Sequence, residues 1–363
     1  MTFEPLRKKV SYSLVFPIAI ILLIKIFSFN QTWVENIYSG IFFPGFAILL
    51  RKITGWIPFS LGDIIYFLAG GWLLWKSIKF IVMLCKKQID RKTLVFAVKK
   101  IFFIVAWVYI IFNIFWGLNY NRKGIAYQLH FSSTKYDSSD LKNMVILLLQ
   151  KVNTSKQALI NQRTVYPDKN GLFKRAGICY EESKKKYPYL NYMPMSLKSS
   201  LYSWFGSYLG FTGYYNPFSG EAQVNTLIPK FILPYTTCHE MAHQLGYAKE
   251  DEANFVGYLA ATSSGDTLFH YSTYLDLFLY ANRELSVTDH FFALAAVQEL
   301  SPAVKADLKE WSNFLKVHKS IMEPIVRWTY TKYLKANQQP KGLHTYSEVI
   351  PNLIAFYKQY GRI

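Results

Sequence analysis

Cysteine is nearly absent from this chain. Cys85, Cys179 and Cys238 are the only three in 363 residues, too few and too scattered for a disulfide framework or a zinc ribbon. Acidic residues are also scarce, 23 Asp and Glu against 41 Lys and Arg, for a formal charge of +18. Residues 1–119 carry 14 of the basic and 4 of the acidic side chains, so +10 of that excess falls among apolar runs. There basic residues set orientation in a membrane, and no nucleic-acid reader motif accompanies them, so nucleic acid is not an expected partner. No internal repeat or low-complexity segment is present. What abounds is apolar and aromatic side chains, 51% and 18% of the chain, a composition that points to a lipid bilayer.

The apolar residues are gathered in runs. Arg7, Lys8 and Lys9 precede a run over 10–29 that is long enough to cross a bilayer as a helix and lacks the small-residue cleavage site of a signal peptide. Residues 37–50 are apolar but short and interrupted by Pro44 and Gly45, which predicts an interfacial or re-entrant segment. Two further spans are expected at 64–84 and 94–116. The loop between them holds Lys86, Lys87, Arg91, Lys92, Lys99 and Lys100 against Asp90 alone, which places that loop and the N-terminus in the cytoplasm. Three crossings then put residues 120–363 outside it. The expected organisation is a transmembrane region over 1–119 and an extracytoplasmic domain over 120–363.

Within that domain, 140–160 and 172–186 read as helices, and 202–225, rich in Gly, Tyr, Ser and Asn, as short strands and turns. Residues 251–336 read as mostly helical, followed by a turn at 337–342 and a last helix near 347–360.

One stretch carries a specific chemistry. His239 and His243 stand four apart, one turn of a helix, so their imidazoles share a face and can grip one tetrahedral ion. Glu240 sits beside that ion without being needed to hold it, the position of a general base that takes a proton from metal-activated water. Cys238 points about 100 degrees away from His239 and reads as a packed thiol. Gly246 ends the helix, and Glu250, Asp251 and Glu252 begin the next. A third ligand is expected there, Glu250 by preference, because Asn254 one turn on can hydrogen-bond a ligating residue; Glu252 is the alternative.

The segment His239-Glu240-Met241-Ala242-His243, followed by Glu250-Asp251-Glu252-Ala253-Asn254, resembles the zincins with glutamate as third ligand. With its apolar runs, with Trp116-Gly117-Leu118-Asn119-Tyr120 and with Asn216-Pro217-Phe218-Ser219-Gly220-Glu221, the chain resembles a family of bacterial membrane-anchored zincin-like proteins catalogued as domain of unknown function 3810. The gap between His243 and Glu250 is shorter than in better-studied zincins.

The resemblance implies a mainly α membrane protein, with three N-terminal transmembrane helices and a mostly helical, zincin-like α+β metallopeptidase domain holding a small sheet. It implies Zn2+ as cofactor, a peptide or protein substrate and a place in the bacterial cell membrane. It also implies that the strand before the motif helix, Ala222, Gln223, Val224 and Asn225, pairs with substrate. Tyr330, Tyr346, His344 and Arg283 are the downstream residues able to steady an oxyanion. The motif is flanked by Thr236, Thr237, Gln244, Lys249 and Glu250, too polar for lipid, so hydrolysis inside the membrane is not expected. The alternative is a non-enzymatic membrane receptor or assembly factor with a structural or vestigial zinc site.

Overall fold

The computed structural model describes residues 14–131 and 136–363; Arg7, Lys8, Lys9 and the expected start of the first span at Val10 lie outside the described residues. The chain is mainly helical, with a small mixed sheet. Four apolar helices open it: α1 (Val15–Phe29), α2 (Gln31–Thr54), α3 (Leu61–Cys85) and α4 (Arg91–Phe115). The last three are long and apolar enough to cross a membrane, and the described part of α1 is shorter, 15 residues.

α2 corrects the interruption expected at Pro44. The helix runs through, because residues Val34–Phe42 form a π-helix in which the Phe43 N–H bonds the Tyr38 carbonyl, one residue further back than in an α-helix. That widened turn brings Pro44 into the first turn of the α-helical half, where a missing N–H costs nothing. One face of α2, including Glu35, Tyr38, Phe43, Ala47 and Arg51, is buried against the rest of the protein. α3, by contrast, buries only Gly62 and Asp63 in its first turn.

Beyond a short turn of 3-10 helix, Gly117–Asn121, come α5 (Ser138–Asn161), α6 (Lys169–Lys186), β1 (Leu197–Ser199), α7 (Ser203–Leu209), β2 (Gly213–Asn216) and β3 (Glu221–Val224). α7 is a helix where only strands and turns were expected. The motif helix α8 (Leu233–Gln244), α9 (Glu250–Ser263) and α10 (Thr267–Thr288) follow, then α11 (His290–Gln298), α12 (Pro302–Val317), α13 (Glu323–Ala336), a second 3-10 turn (Gly342–Glu348) and α14 (Val349–Tyr360). α12 and α13 are separated by a short break that begins at His318.

The main core gathers apolar side chains of α5, α6, α8, α9, α10 and α14, among them Val145, Leu148, Tyr180, Met241, Phe255, Phe278 and Leu353. A smaller core joins Ile24, Tyr38, Phe43, Ala47, Ile110, Trp116 and Tyr120 to Tyr215 and Ala248. The expected boundary at 119/120 thus falls inside a buried joint, with Gly117, Leu118, Asn119 and Tyr120 all enclosed.

The sheet has the order β1-β3-β2, with β1 parallel and β2 antiparallel to β3. This overturns the expected substrate strand. Ala222, Gln223 and Val224 belong to the central strand, buried and hydrogen-bonded on both sides, and Asn225 donates to Ser207 Oγ at 3.0 Å. None of them has a free edge. The edge strand beside the motif is β2, half-buried at Gly213 and Tyr214 and buried at Tyr215 and Asn216.

Candidate metal centre

α8 is buried along its whole length, polar residues included. Its start is set by Pro234 in the first turn. Its end is set by Gly246, whose φ of +83 suits glycine and whose position against Phe43 and Asn119 leaves no room for a Cβ. α9 packs across it at Gly257, where a Cβ would lie 3.2 Å from the His239 backbone nitrogen. That close crossing carries Glu250 to the two histidines.

Three donor atoms converge. Glu250 Oε2 lies 3.3 Å from His239 Nε2 and 3.5 Å from His243 Nε2. Ligands held about 2.0–2.1 Å from one tetrahedral ion stand about 3.3–3.5 Å from each other, so this is the spacing of a His2Glu set. The remaining bonds leave these atoms available. His243 Nδ1–H donates to the Tyr247 carbonyl at 2.7 Å, which fixes the tautomer and turns the Nε2 lone pair inward. Glu250 Oε1 accepts from the Tyr330 hydroxyl at 2.6 Å, while buried Oε2 has no hydrogen-bond partner in the protein. An orphaned buried carboxylate oxygen between two imidazoles fits a cation.

Glu240 also brings a carboxylate oxygen within 4.8 Å of the histidine donors. Glu240 Oε2 is buried without a hydrogen-bond partner as well, so either carboxylate is placed to complete the set with the two histidines. A Cβ added at Gly213 would come 2.5 Å from Glu240 Oε1, so this carboxylate is wedged against the start of β2. Burial pushes its carboxyl up to about 7, against the pull of His239 and His243. Burial alone would lower His239, but the Glu250 carboxylate beside it and the charge of Glu240 raise it to about 8. For Glu250 burial again opposes, and the two histidines beside it hold it well below the usual carboxylate range.

Glu252 does not join the site. It pairs with Lys249 at 3.3 Å and packs on Gly124, whose φ is +83 and where a Cβ would overlap the carboxylate. Asn254 makes no side-chain hydrogen bond to Glu250 among the described residues and instead donates its amide to the Tyr346 carbonyl at 3.1 Å. The outer partners of Glu250 come from far along the chain: Tyr330 on α13, and Gln339, whose Oε1 accepts from the Glu250 N–H at 3.0 Å. Cys238 is buried, as expected of a packed thiol.

A cavity of about 700 Å³ opens on His239 and Glu240, lined by 209–213 on one side and by α10, α13 and the second 3-10 turn on the others. Arg283, Tyr330, His344 and Tyr346, far apart in sequence, all line it. Tyr346 stacks on His239, ring centroids 6.2 Å apart, and its hydroxyl is 3.4 Å from that of Tyr330. Burial first, and the charge of Glu250 next, keep the Tyr346 hydroxyl protonated.

Sequence reasoning missed the residues that hold the C-terminal end of α8. Trp116 Nε1 donates to the His243 carbonyl (3.1 Å), Arg51 to the Gln244 carbonyl (2.9 Å) and Arg122 to the Gly246 carbonyl (3.2 Å). Arg122 is paired with buried Glu35 at 3.0 Å and lies over the Tyr247 ring. Trp116 stood in a motif already noticed; nothing local marked Arg51 or Arg122.

Residues 38–354 match the family described as "Protein of unknown function (DUF3810)", and the chain belongs to that family. No curated protein and no solved structure matches it.

Proposed function

We propose that this protein is a membrane-anchored, zinc-dependent peptidase of zincin type. One observation carries the reading: the unpartnered Oε2 of Glu250 stands 3.3 Å from His239 Nε2 and 3.5 Å from His243 Nε2, distances that suit ligands of a single tetrahedral ion, with Glu240 next to them on the wall of a cavity. His2Glu is a donor set of catalytic zinc, which keeps one position open, and no further Cys or His joins the cluster among the described residues.

Bound there, zinc would act as a Lewis acid and lower the pKa of water toward neutrality. The chain's own groups do the rest. Glu240, which lies beside the donor atoms and lines the cavity, takes the proton from the attacking water and returns it to the leaving nitrogen. Tyr346, whose hydroxyl stays protonated and is not committed to a carboxylate, donates a hydrogen bond to the developing oxyanion. Tyr330 instead fixes the orientation of Glu250. An extended peptide would lie along the free edge of β2, beside Gly213.

The test is Glu240→Gln in the full chain, with zinc content and hydrolysis of a peptide library measured together. Zinc should remain at the wild-type level while hydrolysis falls at least about a hundredfold. Equal hydrolysis by variant and wild type, or equal rescue of a deletion phenotype, would refute the enzymatic reading.

A further inference from the structure

α7 is built inside out. Its small polar residues, Ser203 and Ser207, are buried and one turn apart. Ser203 Oγ donates to the Ser200 carbonyl at 2.7 Å, and Ser207 Oγ accepts from Asn225 at 3.0 Å. Its aromatic residues, Trp204 and Phe205, are 56% and 58% exposed, and Leu201 just before them is 57% exposed. A helix lying on a water-facing surface shows the reverse pattern. Aromatic side chains turned outward suit the border between lipid and water, where their rings reach apolar surroundings.

The position of α7 says which surroundings those are. The Leu201 N–H donates to Asp63 Oδ2 at 2.7 Å, and the Tyr202 hydroxyl donates to the Asp63 carbonyl at 2.8 Å. Asp63 is the third residue of α3, and from Ile65 onward α3 presents apolar side chains outward for the rest of its length. α7 therefore starts where α3 leaves the globular part. The loop entering α3 adds two exposed aromatics, Trp56 and Phe59.

We propose that α7 sits in the headgroup layer of the bilayer that α3 crosses, with Trp204 and Phe205 as its anchors. The chain runs directly from α7 into the cavity wall at 209–213, so this side of the cavity opens at the membrane surface. On the peptidase reading, which this last step rests on, the substrate class is the segment of a membrane protein just outside the bilayer.

The seating itself is tested without any hydrolysis. Trp204→Cys and Phe205→Cys, each in a Cys85→Ser background that removes the exposed thiol, are labelled with bimane in the full chain and placed in phosphatidylcholine nanodiscs. A label at Leu74→Cys, midway along α3, serves as the deep reference. At 204 and 205 a lipid nitroxide near the headgroup should remove about half of the emission or more, and iodide in the water should remove little. The label at 74 should answer to a nitroxide near the chain end. Quenching at 204 and 205 by iodide alone would show a helix facing water and overturn the proposal. Quenching by neither agent would show a protein partner covering the helix, and would overturn it equally.

Discussion

Arg51 donates to the carbonyl of Gln244 at 2.9 Å and to that of Pro194 at 3.0 Å, tying an apolar N-terminal helix to the last residue of the helix that bears both histidines. Arg51 is buried and stacks over Tyr192, and no carboxylate pairs with it among the described ion pairs. Its role is to satisfy carbonyls that would otherwise be orphaned at a helix end.

Replacing Arg51 by Met should therefore leave one buried carbonyl, that of Gln244, unsatisfied at about 1–3 kcal/mol, and free the half-buried carbonyl of Pro194 as well. The expected result is a clear fall in the melting temperature of the full chain in detergent. Arg51→Lys should recover only part of it, because a single ammonium does not reproduce the guanidinium fork. A wild-type melting temperature for Arg51→Met would show that this joint carries no stability.

Glu250 and Glu252 should separate cleanly in metal binding. Glu250→Gln should weaken zinc affinity by at least about a hundredfold, and Tyr330→Phe, which frees the other oxygen, by about 10- to 100-fold. Glu252→Gln should leave affinity unchanged, since that side chain serves Lys249. Competition with a chromophoric chelator measures all three. Loss of zinc on Glu252→Gln alone would reverse the assignment.

Gly213→Ala places a methyl group 2.5 Å from Glu240 Oε1 and 2.8 Å from its Cγ, so the carboxylate must move. Zinc content should hold while peptide hydrolysis drops on the order of a hundredfold, the usual result of displacing a reacting group by about 1 Å. Full hydrolysis in this variant would mean that the position of Glu240 is not critical.

The loop charges predict a cytoplasmic N-terminus and a cytoplasmic 86–100 loop, with the cavity on the other side of the membrane. Reporter fusions after residue 88 and after Ile363 should report opposite compartments. Matching signals from the two would end this topology.

The site was legible where neighbours in sequence are neighbours in space. His239, Glu240 and His243 lie on one helix, so helical spacing brings them together, and a tight turn followed by the close crossing at Gly257 brings Glu250 to them. Asn254 was noticed for the same reason, but one turn of spacing does not say which neighbour it serves, and its amide goes to the Tyr346 carbonyl. The strand Ala222–Asn225 was misjudged because order along the chain does not give order across a sheet: β3 precedes α8 in sequence yet lies between β1 and β2. Pro44 misled because its ordinary effect on a helix is cancelled by a π turn that no local signal announces. Tyr330 and Gln339 meet Glu250 only through the folding of α13 and the turn that follows it.

The connections between membrane and cavity are short. A single residue, Asn30, separates α1 from α2, six residues separate α2 from α3, and α4 runs through Trp116 into the buried Gly117–Asn121 turn. Glu221, on the central strand, takes the N–H groups of Leu61 and Gly62, so α3 too begins fastened to the sheet. With no slack tether, the globular part has no swing or reach. On the peptidase reading proposed above, the cavity would work at one fixed height above the lipid, like a gauge block, and a polypeptide chain would reach Glu240 only if its own geometry brought the right segment to that height.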